Sequence, residues 1–326
     1  MTALVSVIIP AFNAEAFLDR AVASVLQQSW QNFEIIVVND GSLDGTAGLI
    51  ARLAATDRRL IQIDLRENLG VSAARNVGLR RATGDWLALL DADDEFLPTR
   101  IGRLVEIAEQ TGADMVADNL QMRRFPGQTP LGLAFPEAWM APGRDVSLRY
   151  LLARDIAGIH RRELAYIKPM FRRAFLAAHG ISYRPGLAAS EDLLFYVDCL
   201  RAGARLRLTP EALYLYHLRD GSVSSTGAAN LAVRQANVIL QAMFAQTDPA
   251  ITSLLRLRLA AVDFELLIWH LRQADFSSAL AAASRMPSRF LAAKLLHALA
   301  RRLGRPALNP AAKWLDHIRR DHGQGF

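Results

Sequence analysis

The chain is poor in the residues that staple, anchor or hinge unusual folds. It has one cysteine, Cys199, in 326 residues, so no internal disulfide can form and a stapled secreted scaffold is excluded. No uninterrupted apolar run approaches the roughly 18 residues of a spanning helix. The apolar run Leu4 to Phe12 lacks a basic flank and contains Pro10, so it reads as a strand and not as a signal peptide. Three nucleotide and hydrolase signatures are also missing: Gly-x-Gly-x-x-Gly after a strand, Gly-x-x-x-x-Gly-Lys-Ser/Thr and Gly-x-Ser-x-Gly. Lysine is nearly absent, with Lys168, Lys294 and Lys313 its only representatives.

What is present is a well-stocked apolar core: 52% of the residues are hydrophobic and 21% charged, which excludes global disorder. At roughly 100–200 residues per domain the length admits one large domain or two ordinary ones. The net charge of +6 is unevenly placed. Residues 1–230 hold 25 basic and 26 acidic side chains, whereas residues 231–326 hold 13 and 6. The first part is therefore balanced and argues against nucleic acid as a partner, while the excess belongs to the last 96 residues.

Four short strand-like runs, the first apolar and β-branched, alternate with helical patterns. Leu4–Ile9 closes at Pro10, Phe33–Val38 runs into Asn39-Asp-Gly-Ser42, Leu60–Asp64 precedes Arg66–Gly70, and Trp86–Leu90 runs into Asp91-Ala-Asp-Asp-Glu95. Helices are expected at 15–28, 45–55 and 72–82. Alternation at this spacing predicts a parallel sheet covered on both faces. In such sheets ligands sit beyond the carboxyl ends of the strands, and both acidic loops fall there. Residues 121–160 read as a loop-rich insert, and a helix is expected from Ser190 to Ala202, with Ser190 suited to its N-cap. From residue 230 onward the pattern is helical, broken near Pro249, Pro287 and Pro306 to Pro310.

Each polar cluster has a plain reading and a chemical one. Asp40 is a common turn residue, or a carboxylate accepting the imide N–H of a uracil. Asp91-Ala-Asp93 is a solvated acidic loop, or a pair of hard oxygen ligands for Mg²⁺ or Mn²⁺. Glu191 and Asp192 complement a helix N-terminus, or supply a base for an acceptor hydroxyl. His217 is a structural histidine or a metal ligand, and Arg219, with Ser222 and Ser224, suits a phosphate.

Taken in order, Val5-Ser-Val-Ile-Ile-Pro-Ala-Phe-Asn13, Val38-Asn-Asp-Gly-Ser42, Asn68-Leu-Gly-Val-Ser-Ala-Ala-Arg-Asn76 and Gly84-Asp-Trp-Leu-Ala-Leu-Leu-Asp-Ala-Asp-Asp94 closely resemble the family 2 glycosyltransferases. The resemblance implies an α/β fold, a GT-A nucleotide-sugar-binding sheet with flanking helices. Residues 1–230 would form the catalytic domain, with 1–120 the nucleotide half and 121–230 the acceptor half, followed by a basic helical region at 231–326. It implies Pro10, Ala11, Asn13, Asp40, Arg75, Asp91 and Arg219 at the nucleotide sugar. It also implies Asp93 and His217 on a divalent metal (Mn²⁺ or Mg²⁺), and Asp192 as base beside Glu191. Ile167-Lys-Pro-Met-Phe-Arg-Arg173 is similar to a family segment usually reading Asn-Lys-Leu-Tyr-Arg-Arg, but Ile and Pro-Met depart from it and leave Lys168 without an assigned role.

The expected activity is inverting, metal-dependent, non-processive transfer of one sugar from a UDP-sugar to a hydroxyl of a glycan or lipid-linked saccharide, in bacterial cell-surface polysaccharide synthesis. A non-catalytic nucleotide-sugar-binding protein and a sugar-nucleotide pyrophosphorylase are the competing readings. A helix over Arg289–Leu303 would place Leu291, Leu295, Leu296, Leu299 and Leu303 on one face and Lys294, His297 and Arg301 opposite. With Trp314, Arg319 and Arg320, residues 286–326 are thus expected either to cover the core or to meet anionic lipid, giving a cytoplasmic protein with peripheral attachment at most.

Overall fold

The computed structural model describes residues 2–141, 145–158, 162–219, 227–245, 248–292 and 294–295, and these divide into two compact units. One comprises residues 1–147, 165–187 and 191–220; the other comprises 148–164, 188–190 and 221–326.

The first unit is built on one sheet. Its strands are β1 (Val5–Ala11), β2 (Phe33–Asn39), β3 (Leu60–Asp64), β4 (Trp86–Leu89), β5 (Glu95–Phe96), β6 (Met115–Arg124), β7 (Thr129–Leu133), β8 (Met170–Arg172) and β9 (Leu206–Leu218). They lie in the order β3-β2-β1-β4-β8-β6-β9-β5, with β7 on the outer side of β6. β3, β2, β1 and β4 are mutually parallel, as expected from their unbroken apolar runs, and β8 enters antiparallel to β4. The helices of this unit are α1 (Leu18–Leu26), α2 (Thr46–Thr56), α3 (Val71–Arg81), α4 (Arg100–Thr111), α5 (Glu137–Met140), α7 (Arg173–Ala178) and α8 (Glu191–Arg201); α6 (Leu148–Arg154) belongs to the second unit. α3 packs so closely on β1 that a Cβ on Gly78 would lie 2.3 Å from Cγ2 of Ile8, which only glycine permits.

Three sequence expectations change here. Pro10 does not close β1 but lies within it, opposite Val38. Its missing N–H falls on the β4 side, where pairing has already ended at Ile8 and Leu89, so no ladder bond is lost. Residues 121–160 are not an open insert. β6 and β7 form a hairpin across 125–128, and Pro130 is tolerated because β7 is an edge strand. Ser190 has φ 64°, a left-handed conformation and not the extended geometry of an N-cap, and α8 begins at Glu191.

Beneath the sheet's carboxyl edge lies a fully buried ion pair. Arg100 and Asp118 are both 0% exposed. Arg100 Nε and Nη2 donate to Asp118 Oδ1 at 3.0 and 2.8 Å, and Nη2 also donates to the carbonyl of Lys168 at 2.6 Å. The guanidinium stacks 4.3 Å from the ring of Phe96, and Asp118 Oδ2 accepts the Leu213 N–H at 3.1 Å. One side-chain pair thus ties α4, β6, β9 and the segment before β8.

The second unit is helical: α6 with α9 (Gly227–Met243), α10 (Pro249–Arg272) and α11 (Phe276–Ser284). Asp248 caps α10 by accepting the Ala250 N–H at 2.8 Å, with Pro249 in the first turn. The break before α11 falls at Ala274, φ 56°, and Asp275 caps α11 itself by accepting the Ser278 N–H. Lys294 is not on an outer face, as the helical projection has it: it is 6% exposed and donates to the carbonyl of Gly158 at 3.2 Å, while Leu295 is 48% exposed. Its ammonium lies 5.4 Å from the Phe264 ring, and that contact with the carbonyl holds it inside. Among the described residues no helix is long and apolar enough to cross a membrane.

Asp118→Ala leaves the Arg100 charge buried and unpaired, and is expected to cost about 3–5 kcal/mol in a urea denaturation series.

Candidate functional site

The loops that leave β1 and β2 are laced together at the carboxyl edge. The Asp40 N–H donates to the Ala11 carbonyl at 2.8 Å. Asn13, at φ 49°, donates its N–H to Ser42 Oγ at 3.0 Å, and its Oδ1 accepts the Leu43 N–H at 2.9 Å. Pro10 is half-buried and Ala11 buried at the strand end. Asp40 is 3% exposed and accepts the amides of Leu69 and Gly70, one on each oxygen, at 2.8 and 2.9 Å. This fixes the loop before α3 and leaves a second lone pair on each carboxylate oxygen. Gly41 makes the approach feasible: at φ 67°, a Cβ there would come within 2.4 Å of the Glu67 backbone.

On the other side of β1, four elements converge on one charge cluster. Arg75, on α3, is 2% exposed. Its Nη2 donates to Asp91 Oδ1, and its Nη1 to Glu191 Oε1 and Asp192 Oδ1, each at 2.9 Å. The Lys168 ammonium, 5% exposed, stands 2.9 Å from both Asp91 Oδ2 and Asp192 Oδ2. Tyr183 donates its hydroxyl to Asp192 Oδ1 at 2.9 Å. Asn76, next to Arg75, grips the Tyr183 backbone in both directions at 2.8 Å, and the Tyr183 ring stacks on Phe195 of α8 with centroids 4.1 Å apart.

These surroundings separate the carboxylates. Burial works against the charge of Asp91, but Lys168 and Arg75 outweigh it and hold its carboxyl well below the ordinary range. Glu191 moves upward, through burial and the adjacent charge of Asp192, which Arg75 offsets in part. Asp93 also moves upward, through burial and Asp91, against the pull of Arg219. Asp94 is raised further by burial and by Asp93 and Asp91; it accepts the Tyr214 hydroxyl at 2.7 Å and the His217 N–H at 2.8 Å.

The two residues expected on a metal have other partners in this arrangement. Asp93 Oδ2 is 2.7 Å from Arg219 Nε. The His217 ring faces Gln128 Oε1 at 2.9 Å, Glu95 Oε1 at 3.4 Å and Asp94 Oδ1 at 3.8 Å, and it interacts with the backbone of Asp93. Burial, with Arg20 and Arg123 nearby, lowers its pKa to about 4, so the ring is neutral at pH 7 and its Nδ1 is buried without a partner. Among the described residues no three His, Cys, Asp or Glu side chains converge as a metal shell. Asp93 and His217 are thus each engaged with other groups of the chain, while a carboxylate and a neutral imidazole are donors that suit a divalent cation. Ser222 and Ser224 lie outside the described residues.

Sequence reasoning brings Asp40, Arg75, Asp91, Glu191 and Asp192 to the right edge, but it leaves Lys168 unassigned and misses Tyr183. Neither has a local signature. Lys168 is one of three lysines in an arginine-rich chain, and that scarcity is the signal that marks it out.

Residues 6–133 match the family model described as Glycosyl transferase family 2. The succinoglycan biosynthesis protein ExoO of Rhizobium meliloti is 33% identical over 220 residues, covering 68% of this chain and 62% of that protein. ExoU of the same organism is 33% identical over 224 residues, covering 68% and 64%. The chain thus spans slightly less than two thirds of the length of these curated relatives. Among solved structures, S. aureus TarS 1-349 in complex with UDP-GlcNAc superimposes with a TM-score of 0.60 at 21% identity, covering 88% of this chain and 82% of that one. The mannosyltransferase PcManGT from Pyrobaculum calidifontis, in complex with GDP-Man and Mn²⁺, does so with a TM-score of 0.57 at 20% identity, covering 96% and 83%. The sheet order is the GT-A fold, and with the family match and the order of its motifs, the chain belongs to the family 2 glycosyltransferases.

Proposed function

We propose that the protein transfers a single sugar, with inversion, from a UDP-sugar to a hydroxyl of a glycan or lipid-linked saccharide in polysaccharide synthesis. The observation that carries this reading is the placement of two different sites on one strand edge. The Asp40 pocket, with Ala11 and Asn13, has acceptor lone pairs for a pyrimidine imide. The Arg75 cluster beside it holds a carboxylate pair on the first turn of a rigid helix. A protein that only bound a nucleotide sugar has no use for the second. The UDP-GlcNAc in TarS supports the choice of donor, and the succinoglycan proteins support the choice of process.

In this mechanism Asp40 reads the base and Asp91 faces the ribose or sugar side. Arg219, 40% exposed and resting on Asp93, is the cation offered to the diphosphate. Asp192 takes the acceptor proton as the acceptor oxygen bonds to the anomeric carbon and the bond to the diphosphate oxygen breaks. A single displacement from the opposite face inverts the centre, so an α-linked donor yields a β-glycoside. Negative charge grows on the leaving diphosphate, and fixed cations stabilise it in the transition state. Asp93 and His217 are the residues that would hold a divalent cation, which would supply further charge stabilisation at the diphosphate.

UDP release from a panel of UDP-sugars, in the presence of saccharide acceptors, tests the reading. Asp192→Asn is expected to lower kcat by about 10²–10⁴-fold with UDP affinity retained, and near-wild-type turnover would refute the assignment. Asp40→Ala removes a charge-assisted hydrogen bond worth roughly 1.5–3 kcal/mol, so calorimetry should show UDP binding weakened by about 10–100-fold. Unchanged UDP affinity would remove Asp40 from the base pocket.

A further inference from the structure

Lys168 is the cluster residue to which neither the sequence nor the mechanism above assigns a task. Its ammonium bridges Asp91 Oδ2 and Asp192 Oδ2, while Arg75 bridges Asp91 Oδ1 and Asp192 Oδ1. The two aspartates and two cations therefore close a ring in which every aspartate oxygen bears a cationic donor. The ring's lone pairs are countable. Asp192 Oδ1 accepts from both Arg75 and the Tyr183 hydroxyl, and is full. Among the described residues Oδ2 accepts only from Lys168, and so keeps one lone pair of Asp192 open to an incoming proton.

The backbone around Lys168 is pinned on both sides. Its own carbonyl accepts from the buried Arg100, and the carbonyl of Ile167 accepts the hydroxyl of Tyr196 at 2.7 Å. Tyr196 belongs to α8, the helix that begins at Glu191, so the ammonium and the carboxylate it holds are referenced to the same rigid element. A buried ammonium is costly unless it is paired. Burial opposes its charge, but Asp192 and Asp91 more than compensate and keep Lys168 protonated, well above the ordinary lysine value.

We propose that Lys168 is the positioning residue of the base: it fixes Asp192 Oδ2, the oxygen with the open lone pair, in the direction of the acceptor hydroxyl, and ties it to Asp91 on the donor side. The inference rests on the reading of Asp192 as base. A point charge on a flexible stem meets two carboxylates at one atom. An arginine at 168 is longer and planar, and its fork does not reproduce the position that the single ammonium holds between Asp91 and Asp192.

The test is steady-state kinetics on the full chain carrying Lys168→Ala, Lys168→Arg or Tyr183→Phe, with UDP affinity and thermal midpoint measured alongside. A misaimed base costs about a hundredfold. Lys168→Ala is therefore expected to lose about that much in kcat, with donor KM and UDP affinity within twofold of wild type. Added ethylammonium, which fits the vacated stem, is expected to restore part of kcat in this variant and to leave the wild type unchanged. Lys168→Arg keeps the charge but not the single-atom bridge, and is expected to lose at least tenfold in kcat; it decides the matter if the alanine variant does not fold. Tyr183→Phe removes a neutral donor from the other oxygen and is expected to cost less than either.

Wild-type kcat in Lys168→Arg overturns the proposal. So does a Lys168→Ala variant that loses UDP affinity together with kcat and gains nothing from the amine, which would make the lysine merely structural. A wild-type chain that releases no UDP from any UDP-sugar overturns the transferase reading, and this inference falls with it. An active wild type with either of the preceding results overturns this inference alone.

Discussion

The site depends on one guanidinium. Arg75 is buried on α3 and donates to three carboxylates from two other segments: Asp91 at the end of β4, and Glu191 and Asp192 at the start of α8. Three anions, answered by Arg75 and Lys168, leave the cluster one positive charge short. The shortfall is not shared evenly: of the two cations Glu191 pairs with Arg75 alone, and its carboxyl moves upward through burial and the charge of Asp192, whereas Asp91 pairs with both cations and is held low. Such a network is a poor source of stability, because desolvating the charges consumes most of what their attraction returns. Its value lies in geometry: planar Arg75 and single-atom Lys168 set the separation and tilt of two carboxylates that chain connectivity places a hundred residues apart.

The same economy explains what surrounds the cluster. Asn76 follows Arg75 on α3 and clamps the backbone of Tyr183, whose hydroxyl completes the shell of Asp192. One turn of α3 therefore fixes Asp192 from two directions. Arg100 and Asp118 do the equivalent work for Lys168 from below, through its carbonyl. The Asp40 pocket is held by a separate lacing of loops, with Asn13, Ser42 and the Leu69 and Gly70 amides. The Asp40 pocket and the Arg75 cluster thus rest on different hydrogen-bond sets, which share the strand edge and α3.

The parallel core is legible in the sequence because buried strands need near-continuous apolar runs, which β1, β2 and β4 have. The hairpin at β6 and β7 is not, because Pro126, Gly127 and Pro130 look like a loop unless the edge position of β7 is known. The acids at strand ends are legible for a similar reason: polar residues directly after a buried run mark the edge where ligands bind. Which cation each acid faces is not. Asp93 and His217 look like a metal pair from residue type, yet one meets Arg219 and the other packs against Gln128, Glu95 and Asp94. Partnerships of this kind are set by sheet order, here by β9 lying between β6 and β5, and no local spacing encodes it.

Charge in the helical unit shows the same limit from the opposite side. By composition residues 231–326 are strongly basic. In the structure Arg258, 2% exposed, pairs with Asp155 at 3.0 Å, and Arg234 and Arg285 both reach Asp263 Oδ1, at 2.9 and 2.8 Å. Lys294 is enclosed against Phe264 and the Gly158 carbonyl. Asp263 is already among the six acids of residues 231–326, and Lys294 keeps its charge against a neutral carbonyl, so of these contacts only the Arg258–Asp155 pair draws on an acid outside that stretch. What pairing changes is where the charge sits: a cation held inside the unit is turned away from an anionic surface, whose attraction depends on the cations near it. Arg258 and Lys168 make the point together: in both units the buried cations organise carboxylates or carbonyls of their own chain, so their place in the sequence does not tell what they face.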